Sequence, residues 1–139
     1  MFVSVGNSRM DKKFNCMDMT EDDFIKKLSQ TKRTAETMAQ YKKMPKGKQD
    51  DIKDVGGFVL GKLKGGRRKK DCIISRSAIT LDMDYGTENI LDELAMFFDM
   101  KMVVYSTHKH TPEKPRLRLI IFLTRDVTPD EYGAVARML

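Results

Sequence analysis

The sequence predicts an α+β fold, and three observations support that class. From Ser77 onward the chain reads strand, helix, strand, strand, helix, which is most of a split βαβ unit of the RRM-like type. Three of these segments alternate apolar and polar residues with a period of two, as half-buried strands do. Glycines and prolines separate the segments. We therefore expect one domain over residues 1–139. A basic α/β part (1–76) precedes an RRM-like core (77–139), whose sheet carries helices on one face.

The first half is predicted to contain two short strands and three helices. Thr20 is a typical N-cap, because the three acidic residues that follow it suit the positive end of a helix dipole. Pro45 ends the second helical stretch, because proline cannot continue a helix. The predicted strands cover residues 2–5 and 56–61, and the predicted helices cover residues 21–28, 31–41 and 49–54.

The second half is predicted to contain four strands and two helices. Thr87 is expected to cap the first of these helices, whose apolar residues recur at helical spacing from Ile90 to Phe98. Thr128 caps the second, with Pro129 at its first position. The predicted strands cover residues 72–75, 77–84, 101–106 and 116–123, and the predicted helices cover residues 87–99 and 129–139.

Charge is unevenly distributed along the chain, although the net charge is only +6. Residues 1–70 carry 18 Lys and Arg against 9 Asp and Glu, whereas residues 71–139 carry 8 against 11. The basic half predicts a polyanionic partner, and an ordinary solvated surface is the alternative. No apolar run reaches the length of a membrane span, and no secretory signal begins the sequence. Two cysteines without metal-ligand spacing suit a reducing compartment.

The most basic stretch follows two glycines and is a candidate nucleic-acid interface. Gly65 and Gly66 precede four consecutive cations, and a mobile basic loop or hairpin tip can approach a phosphate backbone closely. An ordinary solvated turn is the alternative. The residues expected to bind nucleic acid are Arg9, Lys64, Arg67, Arg68, Lys69, Lys70 and Arg76.

The candidate metal site lies on the strand at residues 77–84. Its alternation places Asp82 and Asp84 on one face, two residues apart. Like charges this close need compensation, and Mg²⁺ or Mn²⁺ prefers carboxylate oxygen. The alternative is a strand-ending turn beside a solvated carboxylate.

The next two strands carry residues suited to phosphate. Ser106 and, if the strand continues, His108 share one face, and Arg116 and Arg118 share one face of the following strand. Arginine grips phosphate oxygens bidentately, while serine and histidine donate further hydrogen bonds. A short connection makes the two strands an antiparallel hairpin. With the carboxylates opposite, the set suits phosphoryl transfer, provided the register turns both pairs toward the acidic strand.

These motifs resemble those of the archaeo-eukaryotic primase, or primase-polymerase, superfamily. Leu81-Asp82-Met83-Asp84 is similar to its hydrophobic-Asp-x-Asp motif, and Ser106-Thr107-His108 to its Ser-x-His motif. The run from Tyr105 to Leu119, the start at residues 6–9 and the stretch at residues 54–68 resemble the phage and mobile-element branch, so the resemblance covers nearly the whole chain.

The resemblance implies a metal-dependent DNA primase/polymerase-like nucleotidyltransferase in the cytoplasm of a bacterial or phage-infected cell. It implies catalytic roles for Asp82, Asp84 and His108, with Mg²⁺ or Mn²⁺ on the two aspartates. Ser106, His108, Arg116 and Arg118 would bind the nucleoside triphosphate. The implied partners are single-stranded or primer-template DNA and a helicase encoded downstream, with no membrane.

One departure from the family pattern leaves two other readings open. The superfamily's third motif places an aspartate on a later strand, but the acids after Arg118 fall in a predicted turn and helix start, and no final strand follows. A non-catalytic module that binds nucleic acid or a partner, including an inhibitor derived from a primase fragment, is therefore the first alternative. The second is a nicking replication initiator, with His108 and His110 as metal ligands and Tyr132 as nucleophile.

Overall fold

A computed structural model describes all of residues 1–139, and its elements confirm the α+β class. Six strands and five α-helices follow one another along the chain, with 3₁₀ turns at Lys64–Gly66 and Lys70–Cys72. The strands are β1 (Phe2–Gly6), β2 (Asn15–Asp18), β3 (Gly57–Leu63), β4 (Ile73–Met83), β5 (Met102–Ser106) and β6 (Leu117–Val127). The helices are α1 (Glu21–Leu28), α2 (Met38–Lys43), α3 (Lys46–Ile52), α4 (Ile90–Phe97) and α5 (Pro129–Ala136).

The strands form one antiparallel sheet in the order β2-β1-β3-β4-β6-β5. β6 lies between β4 and β5, and α4 connects the latter two along the chain, which is the split βαβ arrangement. β4 pairs on its other side with β3, through Gly61 opposite Arg76 and Lys62 opposite Ser75. The final strand of the split unit, which the sequence lacks after the helix predicted at residues 129–139, is thus replaced by β3 from the N-terminal half.

The chain divides into two compact units. The first unit comprises Met1–Ser77 and Arg125–Leu139, and the second comprises Ala78–Thr124. The sequence division at residues 76 and 77 lies near one of these boundaries, but the last segment of the chain groups with the basic half. None of the helices combines the length and the apolar character that a bilayer crossing requires.

The core of the first unit forms where apolar residues of β1 and β3 meet those of α1 and α2. Val3, Phe14, Phe24, Tyr41 and Leu60 are all buried, and the rings of Phe24 and Phe58 pack edge to face with centroids 5.1 Å apart. Thr20 caps α1 as predicted, and its side chain accepts a hydrogen bond from the Asp23 amide. Thr128 caps α5, with Pro129 at its start, as predicted.

Three features of the first half differ from the sequence-based expectation. β2 was not predicted, because all four of its residues are exposed and show no alternation. The helix expected from residue 31 begins only at Met38, where Thr37 and Gln40 form a capping box. Gly65 and Gly66 adopt positive φ and lie in the connection of the β3–β4 hairpin, as predicted, but this connection contains two 3₁₀ turns that were not predicted.

In the second half, β4 runs unbroken through Arg76, where two strands were expected. The strand accommodates the charge of Arg76 because its guanidinium stacks on Tyr132, with the guanidinium carbon 4.4 Å from the ring centroid. α4 begins at Ile90 and its N-cap is Asn89, so Thr87 is not the cap. The Thr87 hydroxyl donates instead to the Glu93 carboxylate, at 3.0 Å.

Candidate functional site

The acidic end of β4 projects two carboxylates from the second unit. Asp82 is the penultimate residue of the strand, and Asp84 directly follows its end. Both side chains are more than half exposed. The strand period of two explains why the two carboxylates lie close enough to be engaged by residues of a single neighbouring strand.

Each of these carboxylates is paired with an arginine from the region of β6. The Arg118 Nε donates to Asp82 Oδ1 at 2.5 Å, and the Arg116 Nη1 donates to Asp84 Oδ1 at 2.7 Å. The predicted meeting of the two aspartates with the two arginines is therefore observed. Charge compensation here comes from guanidinium groups, which form charge-assisted hydrogen bonds with carboxylates.

Tyr105 completes this cluster and was not among the predicted site residues. In the β5–β6 hairpin it lies directly opposite Arg118, and its hydroxyl accepts a hydrogen bond from Arg118 Nη1 at 3.2 Å. Burial lowers the pKa of Arg118, but the hydrogen bonds from Arg118 to Asp82 and Tyr105 outweigh it, so that its pKa is raised. Burial raises the pKa of Tyr105 as well. Arg118 therefore carries its full charge at neutral pH.

Ser106 does not share the face of Arg118. The hairpin register pairs Ser106 with Leu117, and directly opposed residues project on the same side of an antiparallel pair. Ser106 thus lies on the Leu117 side, one residue out of the register needed to join the arginines. A register shift of one residue has this effect because it moves every side chain of a strand to the opposite face of the sheet.

His108 lies beyond the end of β5, so strand alternation does not determine its direction. The last pairing of the hairpin is the hydrogen bond from the Thr107 amide to the Arg116 carbonyl, at 2.9 Å. The chain then turns, and the His110 amide donates to the Thr107 carbonyl at 3.0 Å. The predicted continuation of the strand to His108 is therefore wrong.

His110 makes a direct contact with the residue that precedes β6. Its Nδ1 accepts a hydrogen bond from the backbone amide of Arg116, at 3.2 Å. Because Nδ1 is the acceptor, the neutral imidazole carries its proton on Nε2. His110 thereby holds the backbone of Arg116, the residue whose guanidinium binds Asp84.

The donor set suits a divalent cation that arrives with a nucleotide better than a resident metal. No group of three or more His, Cys, Asp or Glu side chains is placed to hold a metal ion. In nucleotide sites, however, Mg²⁺ commonly takes one or two carboxylates and obtains its other oxygens from phosphates and water. Asp82 and Asp84 fit that role in type and in number.

Asp126, one of the three acids after Arg118, is engaged away from the Asp82 and Asp84 carboxylates. Contrary to the predicted turn, it lies within β6. Its carboxylate accepts hydrogen bonds from the Ser75 and Ser77 hydroxyls, at 2.8 and 2.7 Å. These contacts lie inside the first unit and give Asp126 a structural partner of its own.

The first unit presents seven exposed cations on two segments that meet at the buried residue Phe14. The Phe14 amide donates to the Gly66 carbonyl at 2.8 Å, which joins the segment before β2 to the 3₁₀ turn after β3. The Arg68 guanidinium carbon lies 5.4 Å from the centroid of the Phe14 ring. Lys12 and Lys13 directly precede Phe14. The sequence did not predict them as part of this surface, because it is the hydrogen bond between Phe14 and Gly66 that brings them to the turn. We call the following exposed residues the basic cluster: Lys12, Lys13, Lys64, Arg67, Arg68, Lys69 and Lys70.

Two cations predicted to bind nucleic acid are engaged within the first unit. The Arg9 guanidinium lies within 4 Å of carboxylate oxygens of Asp50, Asp51 and Asp54. Arg76 stacks on Tyr132 and donates to its hydroxyl at 3.3 Å, and the buried Arg76 Nε has no hydrogen-bond partner. Arg9 and Arg76 are therefore less available to a phosphate backbone than the basic cluster.

One comparison with known proteins identifies a family. A family model described as the VapE N-terminal domain matches residues 1–139. The chain matches no curated protein and no solved structure.

Proposed function

The chain belongs to the VapE N-terminal domain family, which is associated with replication in phages and mobile elements, and from that premise we propose a primase-like, nucleotide-binding function. The second unit binds the triphosphate of a nucleotide, and the basic cluster binds the backbone of single-stranded or primer-template DNA.

The observation that carries this proposal is the pair of adjacent contacts, Asp82 with Arg118 and Asp84 with Arg116. Exposed ion pairs contribute at most about 1 kcal/mol, so an incoming anion can compete for the guanidinium groups. Phosphate is a favourable competitor, because a guanidinium presents a fork of donors that matches its oxygens. The arginines then transfer from carboxylate to phosphate.

That transfer would leave both carboxylates without a cation. Asp82 and Asp84 would hold the Mg²⁺ or Mn²⁺ that accompanies the triphosphate. When bound, such an ion neutralises phosphate charge and lowers the pKa of an attacking hydroxyl. The cluster is thus self-neutralised without ligand and accepts an anion and a cation together. Arg118, already aligned by Tyr105, would bind the phosphate with little reorganisation.

Calorimetric titration with a non-hydrolysable nucleoside triphosphate and Mg²⁺ tests the proposal. Replacing Arg116 and Arg118 by glutamine should weaken binding at least about tenfold, because each replacement removes charge-assisted hydrogen bonds. Arg125→Gln is the matched control, because Arg125 likewise forms an ion pair with a carboxylate, that of Glu131, in the first unit. Unchanged affinity in the double variant, or an equal loss in the control, would refute the triphosphate role.

A non-catalytic DNA-binding module is the second candidate. It is favoured by the engagement of Asp126 with two serines and by the lack of a three-ligand metal group. In that case single-stranded DNA binds through the basic cluster, with an affinity that falls as salt rises, while triphosphate does not bind. Arg67→Ala with Lys69→Ala should lower the salt slope, and Lys26→Ala with Lys27→Ala on α1 provides the matched loss of two charges.

A further inference from the structure

Helix α4 is too apolar for the exposure that it has. Six of its eight residues are apolar, and a helix with apolar residues on all sides is normally buried. Leu94 is its only buried residue, whereas Met96 is 84% exposed and Phe97 is 80% exposed. Met100, just beyond the helix, is exposed as well and follows Met96 by four residues, which is the spacing of one helix side. We call Met96, Phe97 and Met100 the α4 patch.

The surroundings of the α4 patch are acidic. Between Asp82 and Met100 the sequence contains no lysine or arginine, and Asp92, Glu93 and Asp99 lie within or directly after the helix. A groove of about 390 Å³ adjoins the start of α4, with Ile90 and Leu91 among its apolar lining and Glu88 and Glu113 among its polar lining. The whole surface therefore combines apolar side chains with negative charge.

This combination determines the chemistry of what can cover it. Nucleic acid is disfavoured because the acidic residues would repel phosphates. A second copy of the chain seated patch to patch is disfavoured because it would bring the same acids face to face. A helix with an apolar stripe flanked by lysine or arginine satisfies both features, because it packs on the helix and neutralises the acids.

We propose that the α4 patch is a docking site for a basic amphipathic helix of a partner protein. The proposal is independent of nucleotide binding, because it uses neither the arginines nor the carboxylates of the candidate site. The apolar stripe would pack along Met96, Phe97 and Met100, and the basic flanks would lie against Asp92 and Asp99.

Methionine-methyl NMR provides a site-specific test. The probe is a synthetic 18-residue helix with leucines on one face and lysines on the other, and its matched control carries glutamates in place of the lysines. The methyl signals of Met96 and Met100 should shift with the basic peptide, while those of Met10 and Met138, which are exposed in the first unit, should not. Met96→Ser with Phe97→Ser should weaken binding at least about tenfold, and Met138→Ser should leave it unchanged.

A charge exchange makes the test decisive. Asp92→Lys with Asp99→Lys should reverse the preference, so that the acidic peptide binds more tightly than the basic one. The proposal is overturned if the wild-type protein binds both peptides equally or neither, if the shifts occur at Met10 or Met138, or if the serine variant binds unchanged. It is also overturned if the Met96 signal moves with protein concentration alone or with added single-stranded DNA, since either result would identify a different occupant.

Discussion

Both units pair aspartate with arginine, but they hold the aspartate in different ways. In the first unit the Asp54 side chain is 12% exposed, and its carboxylate accepts hydrogen bonds from the Ser8 hydroxyl at 2.6 Å and from the Arg9 amide at 2.8 Å. In the second unit Asp82 and Asp84 are 59% and 55% exposed, and their ion pairs are with arginine side chains.

In our proposal, this difference separates a structural carboxylate from one that exchanges its partner. The hydrogen bonds from Ser8 and from the Arg9 backbone lower the pKa of Asp54, and a backbone donor cannot move away without unfolding the turn that carries it. An ion pair between half-exposed side chains can change its partner at little cost. We therefore propose that the same chemical pair fixes a turn in one unit and can be opened by a ligand in the other.

The largest effect that should separate the two units follows from Phe14→Ala. Phe14 is buried, and its ring fills the space that a side chain at Gly6 would occupy. Its loss should lower the free energy of unfolding by about 3–5 kcal/mol. It should also weaken DNA binding without removing a charge, because Arg68 lies over this ring. Urea unfolding and DNA-binding anisotropy measure both effects.

Phe97→Ala is the matched control in the second unit, because Phe97 is exposed. It should change the free energy of unfolding by no more than about 0.5 kcal/mol. If Phe14→Ala and Phe97→Ala lose equal free energy of unfolding, burial of Phe14 does not support the first unit more than the exposed Phe97 supports the second.

A smaller loss is expected from Gly66→Ala. Gly66 has a φ of 70°, and an added Cβ would lie 2.4 Å from the Phe14 carbonyl oxygen. We expect a cost of about 1–3 kcal/mol from strain, together with a displaced 3₁₀ turn. Gly65→Ala is the control, because Gly65 also has positive φ but nothing lies within 4 Å of its added Cβ. If the two variants lose equal stability in urea unfolding, the close contact with Phe14 contributes nothing.

Removing the two exposed carboxylates should change the free energy of unfolding little and triphosphate binding more. Asp82→Asn with Asp84→Asn should alter the free energy of unfolding by less than about 1 kcal/mol. Triphosphate binding without metal should tighten about fivefold or more, because both arginines are freed and each released ion pair accounts for up to about 1 kcal/mol, which is about fivefold. Asp54→Asn, the structural counterpart, should lose stability and leave triphosphate binding unchanged. Weaker metal-free binding in the double variant would contradict the exchange of partners.

Acid should destabilise the first unit through carboxylates with lowered pKa values. The ion pair with Arg125 and the hydrogen bond from the Thr128 amide lower the pKa of Glu131 to about 2. Because this value lies below that of the unfolded chain, Glu131 contributes stability above about pH 4.5, and the contribution is lost as the pH falls toward 2. Asp54 behaves in the same direction. The urea midpoints at pH 6 and pH 3 should therefore differ less in Glu131→Gln than in the wild type. If the difference is the same in both proteins, Glu131 does not contribute to the acid sensitivity.

Local chemistry made several elements predictable. Thr20 and Thr128 cap their helices because the signal is contained within four residues of each cap. The hairpin of β5 and β6 follows from two alternating segments and a short connection. The meeting of Asp82 with Arg118 follows from strand parity on two neighbouring strands.

The remaining features depend on contacts that are distant in sequence. Strand alternation allows two registers, and only the structure shows that Tyr105 rather than Ser106 lies opposite Arg118. Lys13 joins the basic cluster through the bond between Phe14 and Gly66, which are 52 residues apart. Arg76 stays inside β4 because it stacks on Tyr132, a residue from the far end of the chain.

Paramagnetic broadening by Mn²⁺ tests the exchange of partners at Asp82 and Asp84 most directly. Backbone amide signals from residues 81–85 should broaden at a Mn²⁺ concentration at least about tenfold lower when a non-hydrolysable triphosphate is present, since the phosphates supply the missing oxygen ligands. The broadening should disappear in Asp82→Asn with Asp84→Asn and persist in Asp54→Asn. Broadening that is equally strong without the triphosphate, or absent with it, would contradict the claim that these ion pairs form a site for a nucleotide and its cation.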